Sequence, residues 1–101
     1  MVKLTVLYGH PDDPAAFEEY YANTHAPLVE KIPGLQRFEA ARAVATPDGS
    51  ELPYQRIAEL YFEDIEQLQG SLASEEGQTT VADLQNFATG GATIFIAEID
   101  A

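Results

Sequence analysis

Hydrophobic and polar residues alternate at the start of the chain. The apolar side of the first segment consists of Val2, Leu4, Val6 and Tyr8. A period of two is typical of a β-strand with one buried face, so residues 2–8 are predicted to form a strand. Further strands are predicted at residues 35–45, 54–62 and 93–99. The Asp48-Gly49 pair favours a tight turn at residues 46–50, which would join the second and third strands as a hairpin.

A helical period follows the first strand. The apolar positions Phe17, Tyr21, His25, Leu28 and Ile32 are spaced by four, four, three and four residues, which places them on one helical face. Asp13 is predicted to cap this helix, with Pro14 at its first position. Pro27 is predicted to interrupt it after about His25, because proline lacks an N–H and disfavours helical angles at Ala26. A kink and a short turn through Ile32 are expected there.

Two further helices are predicted after the third strand. Asp64 is expected to cap the first, with Gln67 as its capping-box partner, and Ser74 to cap the second, which would end before Gly90-Gly91. The expected buried positions are Ile65, Leu68 and Leu72 in one helix and Val81, Leu84 and Phe87 in the other. The order β-α-β-β-α-β predicts one α+β domain over residues 1–101, with a ferredoxin-like four-stranded antiparallel sheet. Helices would cover one sheet face, and pairing with a second copy would bury the other.

Charge and composition narrow the possible partners. The 101 residues include 17 acidic and 5 basic side chains, for a net charge of −12. This charge repels phosphate backbones and anionic lipid surfaces, so nucleic acid and membrane are not expected partners. The chain has no cysteine, which excludes disulfides and thiolate chemistry. No signal peptide or membrane span is recognisable, so a cytoplasmic location is expected.

His25 is the most informative residue, because a titratable imidazole on an apolar face is costly to bury without a hydrogen bond. Two interpretations stay open. It is a core histidine bonded to a backbone carbonyl near Pro27, or it is a working acid or base, since imidazole titrates near neutral pH. Tyr21, one turn earlier, could hydrogen-bond a substrate oxygen.

The segment around His25 resembles a known family. Residues 21–39 read YANTHAPLVEKIPGLQRFE and residues 83–87 read DLQNF. The His-x-Pro-Leu-x-x-Lys-x-Pro-Gly core and the later segment are similar to the pattern of the EthD family, of the dimeric α+β barrel superfamily. The resemblance spans essentially the whole chain. It implies a homodimer whose two sheets close into a barrel, with a pocket between helices and sheet and the histidine at its wall.

The resemblance and the residues together suggest a cofactor-independent enzyme. EthD-like proteins are often called reductases, and the superfamily includes monooxygenases, isomerases and cyclases, so the reaction class stays open. The expected substrate is a small, apolar, oxygenated molecule, with His25 and Tyr21 as catalytic groups. The predicted substrate-binding residues are Tyr20, Phe17, Leu28 and Tyr61. A non-catalytic binding protein and an accessory protein of a degradation pathway are the alternatives.

Other polar residues are expected to have structural roles. Asp83 and Asn86 are predicted to bond loop backbone, and the strand arginines to pair with Glu39 and Glu59 rather than with a substrate carboxylate. A metal site at His10, Asp12 and Asp13 is not favoured, because Asp13 is needed as a cap. No dinucleotide fingerprint or phosphate-binding loop is present, which argues against a nucleotide cofactor. Haem ligation by His25, known in the superfamily, is not favoured, because haem propionates usually need basic neighbours and the chain has few, so no cofactor is expected.

Overall fold

A computed structural model describes residues 1–100. It has a four-stranded antiparallel sheet in the order β2-β3-β1-β4, with helices packed on one face. The elements in chain order are β1 (Val2–Tyr8), α1 (Pro14–Tyr20), a π-helical turn (Tyr21–His25), α2 (Ala26–Glu30), β2 (Arg37–Arg42), β3 (Arg56–Phe62), α3 (Ile65–Ala73), α4 (Glu75–Phe87) and β4 (Ala92–Glu98). The predicted ferredoxin-like α+β fold is confirmed.

The core lies between the sheet and the helices. The side chains of Val2, Leu4, Val6 and Tyr8 in β1 and of Ala58, Leu60 and Phe62 in β3 are buried there. The predicted alternation of β1 is therefore confirmed, and β1 is a central strand paired on both sides. The opposite face of the sheet, here called the open face, includes Lys3, Thr5, Leu7, Arg37, Glu39, Ile57, Glu59, Tyr61 and Phe95. No helix among the described residues covers it.

Three predicted helix starts are confirmed by their caps. The side chain of Asp13 accepts the N–H of Ala16, that of Asp64 accepts the N–H of Gln67, and that of Ser74 accepts the N–H of Gly77. A side-chain acceptor at the cap satisfies an N–H that has no partner inside the helix. These local signals therefore fix where each helix begins.

The predicted break at Pro27 is wrong. Ala26 has helical angles (φ −58°, ψ −42°), and its N–H donates to the carbonyl of Tyr21, five residues back. Pro27 lies in the first turn of α2, where the missing N–H of proline costs little. The chain therefore passes Pro27 by widening into a π-helical turn instead of ending the helix. Single π-helical turns are frequently found at functional sites.

The π-helical turn also changes which residues face the core. Val29 is buried and Leu28 only half-buried, so the buried positions are spaced by four through Phe17, Tyr21, His25 and Val29. The predicted position of Leu28 on the buried face is therefore wrong. Because a π-helical turn contains more residues than an α-helical turn, the position that faces the core moves one residue along the chain. A fixed period of 3.6 residues does not anticipate this shift.

Helices α3 and α4 bury fewer apolar residues than predicted. Ile65 and Val81 are about half exposed, and the buried side of α4 consists of Gly77, Thr80, Asp83 and Phe87. A Cβ atom on Gly77 would lie 2.3 Å from the Ser71 carbonyl oxygen, so only glycine permits this close packing of the two helices. The strands at 35–45 and 54–62 are shorter than predicted, but their hairpin pairing is confirmed.

Candidate active site

The imidazole of His25 is buried and bonded to a carboxylate. His25 occupies the last position of the π-helical turn and is 3% exposed. Its Nδ1 lies 2.9 Å from Oδ2 of Asp83, which comes from α4, 58 residues later in the chain. The helix pair α2–α4 thus brings together two groups that no local sequence pattern connects. The expectation that a backbone carbonyl near Pro27 would satisfy His25 is wrong.

Asp83 is held from its other side as well. Its Oδ1 accepts the hydroxyl of Tyr20 at 2.6 Å and the side-chain amide of Asn86 at 2.9 Å. Burial raises the pKa of Asp83, but the hydrogen bonds from Tyr20, Asn86 and His25 outweigh it, so the pKa lies below its usual value. Asp83 is therefore ionised near neutral pH, with its orientation set by three donors. The prediction that Asp83 bonds loop backbone is wrong.

His25 is neutral near pH 7. Burial lowers the pKa of His25 below its ordinary value, and the hydrogen bond and charge of Asp83 only partly oppose this effect. Because the Asp83 carboxylate accepts a hydrogen bond from Nδ1–H, it favours the tautomer with the proton on Nδ1. The lone pair of Nε2 is then available, and no group in residues 1–100 bonds to it.

An apolar cavity lies beside His25. It has a volume of about 40 Å³ and is enclosed between the sheet and helices α2, α3 and α4. Its apolar walls include Leu4, Val6, Leu60, Val29, Leu84 and Ile94. Three lining residues carry polar side-chain atoms: Tyr8, His25 and Thr80. Val81 and Ile94 also line the cavity and are 49% and 44% exposed, so its mouth lies between α4 and β4.

Tyr21 is next to His25 but does not line this cavity. Its ring packs against Tyr8, Phe17, Phe87 and His25, and the guanidinium of Arg56 lies 4.6 Å from its centroid. Its hydroxyl is enclosed and has no hydrogen-bond partner in residues 1–100. Burial raises the pKa of Tyr21 to about 12, so the hydroxyl remains protonated.

The other predicted site residues are spread over the molecule. Tyr20 reaches the site through Asp83, and Phe17 packs in the aromatic cluster between α1 and α4. Leu28 lines a separate groove with Lys31, Glu75, Glu76 and Thr79. Tyr61 is on the open face, where its hydroxyl donates to Glu39 at 2.9 Å. The fold therefore brings only Tyr20, Tyr21 and Phe17 into the neighbourhood of His25.

Asp83 is the site residue that sequence reasoning misassigned. A usable signal was present, since Thr80, Asp83 and Phe87 are spaced by three and four and therefore share a helical face. A carboxylate on the same face as a buried aromatic residue needs a partner, because an isolated buried charge is costly. His25 and Tyr20 were the candidates already recognised on the first helix.

Two of the strand arginines form ion pairs. Arg37 pairs with Glu39, as predicted, although both residues lie on the same strand. Arg56 bonds Glu18 of α1 at 2.5 Å, while Glu59 is paired with Lys3 at 2.5 Å. Arg56 therefore ties α1 to the sheet instead of joining two strands.

The loop histidine has a structural contact. His10 Nε2 lies 2.7 Å from the carbonyl oxygen of Leu52. No group of three or more His, Asp or Glu side chains in residues 1–100 is arranged to hold a metal ion. None of the helices between residues 1 and 100 has the length and apolar character needed to cross a bilayer.

The fold and the sequence together define the class and then the family. The sheet order and helix packing are those of ferredoxin-like α+β proteins, and the EthD domain model matches residues 10–91. The chain belongs to the EthD family. It is 42% identical, over 97% of its length and 94% of the relative's, to an uncharacterised 11.0 kDa protein of Rhodococcus erythropolis from the thcB–thcC intergenic region.

Solved structures agree with this assignment. An ethyl tert-butyl ether D (EthD) family protein from Bacillus halodurans has 42% identity and a TM-score of 0.92, with 98% of each chain covered. At 18% identity and a TM-score of 0.66, SnoaB of Streptomyces nogalater, described as a cofactor-independent oxygenase, shares the fold, with 99% of this chain and 92% of that chain covered. A Thermobifida fusca protein described as dimeric and ferredoxin-like has 10% identity and a TM-score of 0.74, covering 97% and 90%.

Proposed function

We propose that this chain is a cofactor-independent enzyme in which His25 accepts a proton from a small, apolar, oxygenated substrate. The observation that carries this proposal is the 2.9 Å contact between His25 Nδ1 and Asp83 Oδ2 beside an apolar cavity. A carboxylate on one imidazole nitrogen leaves the other as a base and stabilises the imidazolium that proton transfer forms. The same imidazolium would return the proton in a later step, as isomerase or cyclase chemistry requires.

The lowered pKa of His25 suits this role. A general base must be unprotonated at the working pH, and burial keeps His25 neutral near pH 7. Asp83 and its donors Tyr20 and Asn86 are positioning residues, because they act on the substrate only through His25. Tyr21 stays a predicted catalytic group: its ring centroid lies 5.6 Å from that of His25, and its enclosed hydroxyl has no hydrogen-bond partner in residues 1–100.

The cavity favours a neutral substrate. None of its lining residues is charged apart from His25 when protonated, and no lysine or arginine is available there for a carboxylate or phosphate. Phenols, quinols and lactones meet the requirement of an apolar body with an oxygen. A dry cavity that holds benzene has about 150 Å³, whereas this one has about 40 Å³. We therefore expect the exposed side chains at the mouth to move when a ring-sized ligand enters.

The fold relative described as a cofactor-independent oxygenase supports the view that this architecture can host chemistry without a cofactor. A binding or carrier protein would use the same cavity and the same histidine, but it would release its ligand unchanged. The two functions differ in whether a bound ligand is converted.

We also propose that two copies associate through their open faces. Phe95 is 47% exposed on the open face, in the edge strand β4, where it lies opposite Thr5 of β1. A sheet face that has no covering helices and carries apolar side chains can be buried by pairing with a second copy. Relatives of the same fold are described as dimeric.

The first test is a nitrogen-15 NMR titration of the His10→Gln variant, in which His25 is the only imidazole. We expect a neutral His25 with its proton on Nδ1 at pH 7, and shifts of its signals when phenols, quinones or lactones bind. A His25 that is protonated at pH 7, or that ignores every ligand, would contradict the proposal. Binding without conversion of any ligand would favour the carrier function. Once a substrate is known, His25→Ala must abolish turnover.

A further inference from the structure

Tyr8 is the feature of the cavity that the proposed function leaves unused. It is the last residue of β1, its side chain lies on the helix-covered face, and it is 1% exposed. Its ring is fixed by edge or tilted contacts with Phe17, Tyr21 and Phe87, at centroid distances of 5.5 to 5.7 Å. A side chain held from three sides has little freedom to turn away from the cavity that it lines.

Of the three polar residues that line the cavity, Thr80 has already used its hydrogen-bond donor, whereas Tyr8 and His25 each keep a polar atom without a partner in the described part of the chain. The Thr80 hydroxyl donates to the carbonyl oxygen of Glu76 at 2.8 Å, so its donor is already used. His25 uses Nδ1 for Asp83 and keeps Nε2. The Tyr8 hydroxyl makes no hydrogen bond within residues 1–100, although the residue is almost completely buried. Buried hydroxyls normally have a partner, and an unpaired one next to a cavity calls for a ligand or a water molecule.

We infer that the Tyr8 hydroxyl is the hydrogen-bond donor that holds the substrate oxygen, while Nε2 of His25 faces the proton to be removed. This inference rests on the proposed function and specifies its substrate class. An apolar site with a few convergent polar groups orients a ligand through those groups. Here one group donates and the other accepts, so the matching ligand is a neutral molecule with an acceptor oxygen and an acidic proton nearby, such as a phenol or an enolisable ketone.

Two other ligand classes, ionised carboxylates and plain hydrocarbons, fit the cavity less well than a neutral oxygenated molecule. A tyrosine hydroxyl that remains protonated donates to a neutral oxygen, and burial raises the pKa of Tyr8 far above its usual value. Ionised carboxylates would be expelled by the apolar walls, because no cation lines the cavity to offset their desolvation. Plain hydrocarbons would enter but leave both polar groups unpaired, and leaving a buried polar group unpaired reduces affinity.

The test compares phenol with toluene, two probes of nearly the same shape that differ in the oxygen. Binding is followed by the His25 signals of the nitrogen-15-labelled protein, in the wild type and in Tyr8→Phe, which keeps the ring and removes the hydroxyl. We expect the wild type to bind phenol about three- to tenfold more tightly than toluene, and Tyr8→Phe to lose this preference while binding toluene unchanged. Tyr54→Phe, a tyrosine outside the cavity, is the matched control and should keep the preference.

The outcomes separate this inference from the proposed function. If Tyr8→Phe keeps the phenol preference, the inference is wrong, while His25 stands as the group that senses the ligand. If phenol and toluene leave the wild-type His25 signals unchanged, both the inference and the proposed function are overturned. A melting temperature provides a second criterion. Tyr8→Phe should melt no lower than the wild type, because no bond is lost, whereas a lower melting temperature would show that the hydroxyl has a structural role.

Discussion

Two tyrosine–carboxylate pairs, one in the helix layer and one on the open face of the sheet, carry similar groups in different surroundings. The Tyr20 hydroxyl donates to Asp83 at 2.6 Å, and the Tyr61 hydroxyl donates to Glu39 at 2.9 Å. Each carboxylate also has a nitrogen partner, His25 for the first and Arg37 for the second. The Asp83 side chain is 8% exposed and that of Glu39 is 41% exposed.

The difference teaches that burial, rather than the choice of side chains, makes the helix-layer pair a candidate site. Water competes for the exposed Arg37–Glu39 pair on the open face, so that ion pair contributes little to stability. The His25–Asp83 contact is buried, and the pKa of His25 falls below its ordinary value despite the adjacent carboxylate. The buried group is therefore poised to act as a base, whereas the exposed pairs organise a surface.

The largest expected effect comes from removing the buried carboxylate. Asp83→Leu leaves His25, Tyr20 and Asn86 without their acceptor and should lower the free energy of unfolding by about 3 kcal/mol. Urea denaturation measures this change. Glu39→Gln on the open face is the matched control and should change the stability far less. If both variants lowered the free energy of unfolding equally, burial would not be what distinguishes the two tyrosine–carboxylate pairs. A loss of stability in Glu39→Gln that depends on protein concentration would place Glu39 in the dimer interface.

The second expected effect concerns association. Phe95→Glu places a charge on the open face, in strand β4, and should convert a dimer into a monomer, as measured by sedimentation at several concentrations. Val81→Glu is the control, because Val81 is similarly exposed, 49% against 47%, but lies in the helix layer at the cavity mouth. If only Val81→Glu dissociated the protein, the interface would lie on the helix side.

The third expected effect is a pH dependence of stability. The pKa of folded His25 lies below the value of about 6.5 in the unfolded chain. In the window between the two values, the unfolded chain binds a proton that the folded chain does not, so this stability is present above pH 6.5 and lost as the pH falls. Melting temperatures should therefore drop on acidification below about pH 6.5, and His25→Gln should reduce that drop.

Asp83 titrates in a separate, more acidic window. Its pKa is lowered in the folded protein, so its contribution to stability is present above the unfolded value of about 3.9 and is lost as the pH falls through the folded value.

A wild-type protein whose melting temperature stays constant from pH 7.5 to 5 would contradict the lowered pKa of His25.

The smallest expected effects come from Thr5 on the open face and Tyr21 in the helix layer, whose hydroxyls are fully enclosed and have no partner in residues 1–100. Thr5→Val and Tyr21→Phe keep the side-chain shape and remove the unpaired group, so each should leave stability unchanged or raise it by about 1 kcal/mol. Chemical denaturation provides the measurement. A clear destabilisation would mean that the hydroxyl bonds a water molecule or, for Thr5, a second copy of the chain.

Local patterns predicted most of the fold correctly. The caps at Asp13, Asp64 and Ser74 and the alternation of β1 depend on interactions within a few residues, which a sequence displays directly. The same reasoning failed at Pro27, because a proline at the start of a helical turn and a proline that ends a helix have the same local neighbours. Whether a π-helical turn forms depends on what the whole segment packs against. A fixed period of 3.6 residues therefore could not predict that Val29 is buried in place of Leu28.

By itself, the sequence determined the element order, the helix starts, the family and the position of His25 on the buried helical face. Each of these follows from short-range spacing, or from a motif written in consecutive residues. Only the tertiary structure decided that Asp83 is the partner of His25, that Tyr61 lies on the opposite face, and that Tyr8 borders the cavity. These decisions involve residues far apart in the chain, and a contact across such a distance depends on how the helices pack against the sheet.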